Sequence, residues 1–147
     1  MDRSARREMV FKLLYSLEIQ KTSNEEEIKL FIENNGIIEN EDQEYIANFV
    51  NGVIENNARI REEISQNLKK EWSIERISKI DLALLELAIY EILYKKVPFK
   101  VVINEVVELA KKYGEEQSPN FINGILANIV KKIGVEEWNI IQYPLVN

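Results

Sequence analysis

The chain has 147 residues, of which 46% are apolar, so it can bury one sizeable core and is too short to suggest several domains. It contains no cysteine, which excludes disulfides and thiolate metal sites, and no histidine, which removes the commonest general base and metal ligand. Its net charge of −6 argues against indiscriminate nucleic-acid binding, because such affinity comes from neutralising phosphates with lysine and arginine.

No charged-then-apolar leader opens the chain, and charges interrupt every long apolar run before it could cross a bilayer. We therefore expect a soluble, cytoplasmic protein without membrane contact. Acidic residues concentrate between Glu25 and Glu63, whereas arginines gather near the N-terminus and lysines recur in the C-terminal half. A small basic surface on such a protein would bind RNA weakly alone and would gain from a basic partner.

The first predicted helix is capped by Asp2 or Ser4 and runs to about Gln20. Its apolar stripe consists of Val10, Leu13, Leu14 and Leu17. Three arginines project in the sector of this stripe and overhang the end of the core: Arg3, Arg6 and Arg7. Arginine in a first turn opposes the helix dipole, at a cost of roughly 0.3–1 kcal/mol if exposed. This cost favours a functional reason for the arginines, with ordinary solvated or locally paired side chains as the alternative.

Three segments follow before the next strongly apolar stretch. Ser23 is placed to cap a short peripheral helix that extends to about Asn34. The region from about Asp42 to Lys70 is predicted as one long helix or as two, with Asn56-Asn57 as the expected break. Trp72 to Ile77 is predicted to be a connector with a short helical turn, because its apolar residues need burial.

The stretch from Ile80 to Tyr94 is apolar nearly all round, which is typical of a helix surrounded by others. We therefore place it at the centre of the fold. The following helix begins at Pro98, whose missing N–H costs nothing in a first turn, and Tyr113 is its last apolar position. We expect Gly114 to end this helix in a left-handed conformation.

The last predicted helix starts at Ser118, which is expected to be its N-cap, and Pro119 fits the first helical position. Phe121 begins the apolar stripe of this helix and is expected beside an exposed surface. Gly124 lies in the helix interior, where glycine costs about 1 kcal/mol relative to alanine. We expect close packing against another helix to compensate, with an RNA-facing surface as the alternative.

The residue types present argue against catalysis. Carboxylates at helical spacing, such as Glu105 and Glu108, are typical of solvated or ion-paired side chains. A helical-bundle metal site with the Glu-x-x-His pattern is excluded by the missing histidine, and no glycine-rich spacing builds a phosphate loop. We therefore predict no catalytic residue, no metal site and no cofactor.

RNA recognition without catalysis requires cations that contact phosphates and aromatic or amide groups that reach unstacked bases. The chain offers both if its first and last helices are neighbours. The candidate residues are Arg3, Arg6, Arg7, Gln117, Ser118, Asn120 and Phe121.

The order of residues in the C-terminal half carries a specific resemblance. The matching residues are Ile103-Asn104-Glu105, Glu108-Leu109-Ala110-Lys111, Tyr113-Gly114, Ser118, Phe121, Asn123-Gly124 and Leu126, with Arg76, Leu85, Ala88 and Tyr90-Glu91 upstream and Arg7-Glu8 and Leu14-Tyr15 near the start. With these residues the sequence resembles the NusB family of bacterial transcription antitermination and ribosomal-RNA processing factors. The resemblance extends over nearly the whole chain except its end.

The resemblance implies an all-α single globular domain of about seven helices, arranged as two packed helical bundles, over residues 1–134. It also implies binding of boxA-type single-stranded leader RNA together with NusE, a ribosomal small-subunit protein, in an antitermination complex with RNA polymerase. Carried over by position, the RNA contacts are Arg3, Arg7, Gln117, Ser118 and Phe121, and Arg6 is added to this predicted set from its place beside the other two arginines. The contacts with NusE correspond to Tyr15 and Asp81.

Some positions depart from the family pattern. Glu86 stands where an arginine is common and Asn120 where a lysine is common, so we expect less positive charge and a greater dependence on the partner. Residues 135–147 form a C-terminal extension with several apolar side chains. The sequence does not choose between an extension that covers a hydrophobic face and one that meets another subunit.

Two other functions remain open from the sequence. One is a non-catalytic helical protein-interaction module, supported by the acidic balance and the apolar extension. The other is an accessory RNA-binding domain of a ribosomal-RNA methyltransferase, because NusB-like domains also occur at the N-terminus of such enzymes. The chain itself ends at Asn147 without a cofactor-binding βα pattern. The sequence also leaves open a homodimer that hides the arginine-bearing face.

Overall fold

Helices form the regular secondary structure of residues 1–20 and 22–133, the part of the chain that the computed structural model describes. They are α1 (Arg3–Ile19), α2 (Asn24–Asn34), α3 (Asn40–Glu55), α4 (Asn57–Gln66), α5 (Lys79–Tyr94), α6 (Phe99–Tyr113) and α7 (Ser118–Ile133). A short 3₁₀ turn, Ile74–Arg76, precedes α5. The prediction of an all-α fold with about seven helices is confirmed, as is the break at Asn56. The predicted extension 135–147 lies outside the described residues.

The described chain divides into two compact units. The first, Met1–Glu55, contains α1, α2 and α3, with α1 packed against both of the others. Asp2, one of the two caps that the sequence allows, caps α1 by accepting a hydrogen bond from the Ala5 N–H at 2.7 Å. The core of the first unit consists mainly of Val10, Phe11, Leu13, Leu14, Ile46, Phe49, Val50 and Val53.

A partly buried ion pair joins α1 to α3 within the first unit. The carboxylate of Asp42, which is only 4% exposed, accepts a hydrogen bond from Arg6 Nε at 2.7 Å. The N-terminal ammonium of Met1 lies 3.4 Å from the other carboxylate oxygen, and the Arg6 guanidinium carbon is 5.2 Å from the centre of the Tyr45 ring. The hydrogen bond from Arg6 lowers the pKa of Asp42 below its ordinary value, because it stabilises the ionised form.

The second unit contains the described residues from Asn56 onward, and α5 is its central helix. This helix contacts α4, α6 and α7, and its residues from Asp81 to Ile89 are all buried. The expectation of a central, surrounded helix is therefore confirmed. Ser78 caps α5 by accepting a hydrogen bond from the Asp81 N–H at 3.1 Å.

Glu86 is one of the buried residues of α5, and its charge is balanced by α4. Its carboxylate accepts a hydrogen bond from Asn57 Nδ2 at 2.6 Å and lies 3.4 Å from Arg61 Nε. A buried carboxylate requires such partners, because leaving it uncompensated costs several kcal/mol, on the order of 3–5. Glu86 therefore stabilises the pairing of α4 with α5. The effect of its negative charge on RNA binding stays a prediction.

Gly114 ends α6 in an extended conformation, with φ −90° and ψ −170°, so the predicted left-handed conformation is wrong. Glycine is needed there for space. A Cβ atom at this position would lie 2.7 Å from both Cβ and Oγ of Ser118 and 2.8 Å from the carbonyl oxygen of Ala110. Gly124 differs, because a Cβ there would meet no atom of the described residues within 4 Å. Close helix packing therefore does not explain Gly124.

These two glycines form a matched pair for a test of the close approach between α6 and α7. Gly114→Ala should lower the free energy of unfolding by about 1–3 kcal/mol, because Ser118 and the end of α6 must shift. Gly124→Ala should raise it by up to about 1 kcal/mol, because alanine favours the helix and meets open space. Urea unfolding monitored by circular dichroism measures the free energy of unfolding of both variants. Equal effects of the two substitutions would contradict the conclusion that close packing requires glycine at position 114 but not at 124.

The ion pair between α1 and α3 predicts a pH-dependent stability. A carboxyl group whose pKa is lower in the folded than in the unfolded chain adds stability above its unfolded pKa of about 3.9, and loses it as the pH falls through the folded pKa. Asp42→Asn should therefore unfold at a lower urea concentration than the unaltered protein at neutral pH, and the difference should shrink below about pH 4. Glu44→Gln, at an exposed position of α3, is the control. A difference for Asp42→Asn that stays constant down to pH values near 2 would reject the ion pair as its cause.

Candidate nucleic-acid interface

A cavity of about 770 Å³ lies in the second unit. It is bounded by the segment between α4 and α5, by the first turn of α5, by the loop between α6 and α7, and by one side of α7. Three of the residues that the resemblance points to line this cavity: Asp81, Gln117 and Phe121. A fourth, Ser118, lies close enough to Asp81 to influence the pKa of its carboxyl group. The fold therefore collects these four predicted residues, from two helices and a loop, at one site.

Ser118 positions the loop that leads into α7. Its side chain is buried, with 1% of the residue exposed, and its Oγ accepts a hydrogen bond from the Glu115 N–H at 3.0 Å. The Ser118 hydroxyl therefore faces the preceding loop and not the following turn of α7. Ser118 is the first residue of α7, so the prediction that it is the N-cap is wrong. The absence of a side chain at Gly114 leaves room for Ser118. The loop geometry thus depends on a small hydroxyl residue opposite a glycine.

Asp81 carries a buried carboxylate at the edge of the cavity. The residue is 7% exposed, and its Oδ1 atom has no hydrogen-bond partner among residues 1–20 and 22–133. Burial raises the pKa of Asp81 above its ordinary value, and the nearby carboxylate of Glu115 acts in the same direction. Hydrogen bonds from Ser118 and Ser78 oppose this shift. Groups of the second unit therefore offset only part of the cost of burying the ionised Asp81 carboxylate.

Gln117 and Phe121 provide an amide and an aromatic ring. Gln117 is exposed, and its Nε2 donates a hydrogen bond to Glu115 Oε2 at 2.8 Å. Phe121 is half-buried in the first turns of α7, where its N–H donates to the Gln117 carbonyl oxygen at 3.0 Å. The prediction that Phe121 begins beside an exposed surface is confirmed. The half-buried Phe121 ring can stack on an unstacked base, and the Gln117 amide can hydrogen bond to its edge.

Sequence reasoning missed the residues that the segment before α5 contributes to the cavity. Trp72 is 52% exposed and lines the cavity, although its hydrophobicity predicts burial. Asn67, Lys69 and Arg76 line the same side. An indole in a connector that also carries Lys69 and Lys70 is the signal that could have indicated a binding surface.

The arginines of α1 belong to the first unit and differ in their environments. Arg3 is exposed, whereas Arg6 is held by Asp42 and Arg7 is buried, with 4% of the residue exposed. Tyr15 is half-buried further along the helix, with its ring centre 6.5 Å from that of Phe11. Of the three arginines, Arg3 is therefore the one whose side chain has the exposure that a phosphate contact requires.

Comparison with known proteins agrees with the sequence pattern. The profile of the NusB family matches residues 4–131. The transcription antitermination protein NusB of Acetivibrio thermocellus is 51% identical over 132 residues, which are 89% of this chain and 90% of that protein.

Solved structures extend the similarity to the fold. The T. maritima NusB structure is 34% identical and superimposes with a TM-score of 0.83, covering 94% of this chain and 96% of that one. A crystal structure of the antitermination factors NusB and NusE in complex with dsRNA is 27% identical, with a TM-score of 0.80, and covers 88% of this chain and 96% of the matched chain. Because the family profile spans most of the sequence and the fold matches solved NusB structures, this chain belongs to the NusB family.

Proposed function

We propose that this protein is a transcription antitermination factor that binds boxA-type single-stranded RNA of ribosomal-RNA operons. It does so together with NusE, the ribosomal small-subunit protein, and the pair assembles with RNA polymerase. The observation that carries this proposal is the similarity in sequence and fold to NusB proteins, one of which was crystallised with NusE and dsRNA. No helix of the described residues has both the length and the apolar character needed to cross a membrane.

The chemistry of the two units supports RNA binding without strong affinity. Lys69 and Arg76 are exposed at the cavity, and Arg3 is exposed at the start of α1, so each can contact a phosphate. Phe121 and Gln117 offer stacking and hydrogen bonding to bases. Because the net charge is −6, these few cations do not make the protein a general RNA binder. We therefore propose that NusE supplies positive charge and that the two proteins bind the RNA jointly.

We further propose that the protein acts in the cytoplasm and without catalysis, since its relatives carry the name of antitermination proteins. Tyr15 and Asp81 are the proposed contacts with NusE. Tyr15 is half-buried, whereas Asp81 is 7% exposed and lines the cavity. Ser118 acts by positioning Asp81 and the loop before α7.

Joint binding is tested by fluorescence anisotropy with boxA RNA and a scrambled RNA of equal length. We expect weak binding by this protein alone and preferential boxA binding when the cognate NusE is added. The affinity should fall with salt concentration, with the steeper dependence in the presence of NusE because more phosphates are neutralised. If the two proteins associate but neither RNA binds, a protein-interaction module without RNA specificity becomes the better description.

Two substitutions separate base contacts from phosphate contacts. Phe121→Ala should weaken boxA binding by roughly 5–150-fold, the range for loss of one stacked base. Arg3→Ala should weaken boxA and scrambled RNA by similar factors and reduce the salt dependence by about one phosphate contact. Lys29→Ala, which removes an exposed cation of α2, is the matched control. Unchanged boxA binding by both test variants, with intact circular dichroism, would reject these site assignments. Arg7 is less suitable because its burial couples binding to stability.

A further inference from the structure

We propose that a second groove, between α6 and α7, is the docking site of the chain's own C-terminal extension, residues 135–147, and that Trp138 is the side chain that fills it. The groove lies on a different side of α7 from the cavity. The family profile ends at residue 131, so the family resemblance assigns no role to the extension. The inference is therefore independent of the proposed RNA-binding function.

The groove is small and has an apolar floor. Its volume is about 290 Å³. Phe99 and Val130 are buried beneath it, and Ile103 and Ala127 are half-buried at its centre. This volume is just below the range of small-molecule pockets, about 300–1,000 Å³. One aromatic side chain suits it well, because such a side chain removes about 150–250 Å² of surface from water.

The chain leaves α7 beside one end of this groove. Because α6 and α7 are consecutive, packed on each other and joined by a short loop, they run antiparallel. The groove extends along α7 from Lys131, close to the end of the helix, back to Asn123. This distance is roughly 12 Å along the helix axis. Residues 135–141 alone can span more than that, at about 3.3 Å for each extended residue.

The charges of the groove and of the extension are complementary. Lys100 and Lys131 are exposed at the end of the groove where α7 ends. Neither lysine forms an ion pair with another residue of 1–20 and 22–133. Glu136 and Glu137 are the first charged residues after α7, and they directly precede Trp138. Pairing of these glutamates with the lysines would bring Trp138 to the next level of the groove.

The surface at that next level suits Trp138. Beyond the two lysines the groove is apolar at Ile103 and Ala127, and Asn104 and Asn123 follow. The order along the groove is thus basic, apolar and amide. The amides can donate and accept the hydrogen bonds that the backbone of a docked segment requires. The sequence of the extension, two acidic residues and then a tryptophan, matches this order.

Attachment to α7 favours the extension of the same chain over that of a second copy. A segment tethered by a short connection meets its binding site at an effective concentration in the millimolar range. A second copy presents the same segment only at the concentration of the protein in solution. Gly134, directly after α7, supplies the backbone freedom for the chain to turn back along the helix.

Trp138 reports directly on docking. The chain has two tryptophans, so Trp72→Phe in the full chain leaves Trp138 as the only fluorophore of this kind. We expect blue-shifted emission and weaker quenching by acrylamide than for N-acetyltryptophanamide, at protein concentrations where sedimentation shows a monomer. Quenching as efficient as that of the reference compound would overturn the proposal. Protection that appears only as a dimer forms would assign the groove to a second copy and would also overturn it.

Substitutions in the same background test the position of Trp138. Ala127→Glu places a carboxylate at the centre of the groove and should raise acrylamide quenching to the level of the reference compound. Lys131→Glu should lower the ratio of docked to undocked extension by roughly 5-fold, the effect of losing one exposed ion pair. Lys132→Glu is the matched control, because the Lys132 Nζ donates to Gln66 Oε1 at 2.9 Å, away from the groove. Equal loss of protection in both lysine variants contradicts the proposal.

A double-mutant cycle in the otherwise unaltered full chain provides a readout without fluorescence. Trp138→Ala should lower the midpoint of urea unfolding, because a docked segment stabilises the folded state. The same substitution should have little further effect in Ala127→Glu, where the groove is already blocked. Circular dichroism checks that each variant keeps its helical content. Equal effects of Trp138→Ala in both backgrounds would show that Trp138 does not occupy this groove.

Discussion

The close approach of Ser118 to the end of α6 governs the geometry of the candidate site. It is possible only because Gly114 has no side chain, and it lets Ser118 accept a hydrogen bond from the Glu115 N–H while it lies beside the carboxyl group of Asp81. The start of α7 is thereby connected to the start of α5, the most buried helix of the second unit. Phe121 is one turn further along α7, so its place in the cavity depends on the same contact. The positions of the loop before α7, the Asp81 carboxylate and the Phe121 ring therefore depend on one another.

Most of the helical architecture could be predicted because the apolar residues recur with the helical period. The segment Ile80–Tyr94 is apolar on all sides, which predicts its central position. The asparagine pair at residues 56 and 57 predicts the break between α3 and α4. The backbone conformation of single residues is harder to predict from the sequence. Gly114 ends α6 as expected, but with a negative φ, because the reason for glycine is a neighbour four residues ahead and not a left-handed turn. Such a reason is tertiary and leaves no local pattern.

The site could be predicted only in part for a related reason. Family resemblance points to Phe121 and Gln117, and the structure places both at one cavity with Asp81. Resemblance by position does not distinguish a residue that meets a ligand from one that supports the fold. Arg6 and Arg7 illustrate this limit, because one is held by Asp42 and the other is buried. Trp72 was missed for the opposite reason: a large apolar side chain is expected in the core, and only the surrounding backbone shows that it lines a cavity.

The internal pairing of charges explains how an acidic protein can take part in selective RNA binding. Two carboxylates, Asp42 and Glu86, are buried and hold arginines of the same unit, so part of the basic content contributes to folding and not to the RNA surface. Few cations then remain exposed near the cavity, and affinity for phosphates alone stays low. Selectivity must come from contacts with bases, which are individually modest and act over short distances. A partner that adds phosphate contacts raises affinity for any RNA, but only an RNA whose bases fit gains from both surfaces. Under the proposed function, low intrinsic affinity is therefore what makes assembly depend on the simultaneous presence of the partner and the correct RNA.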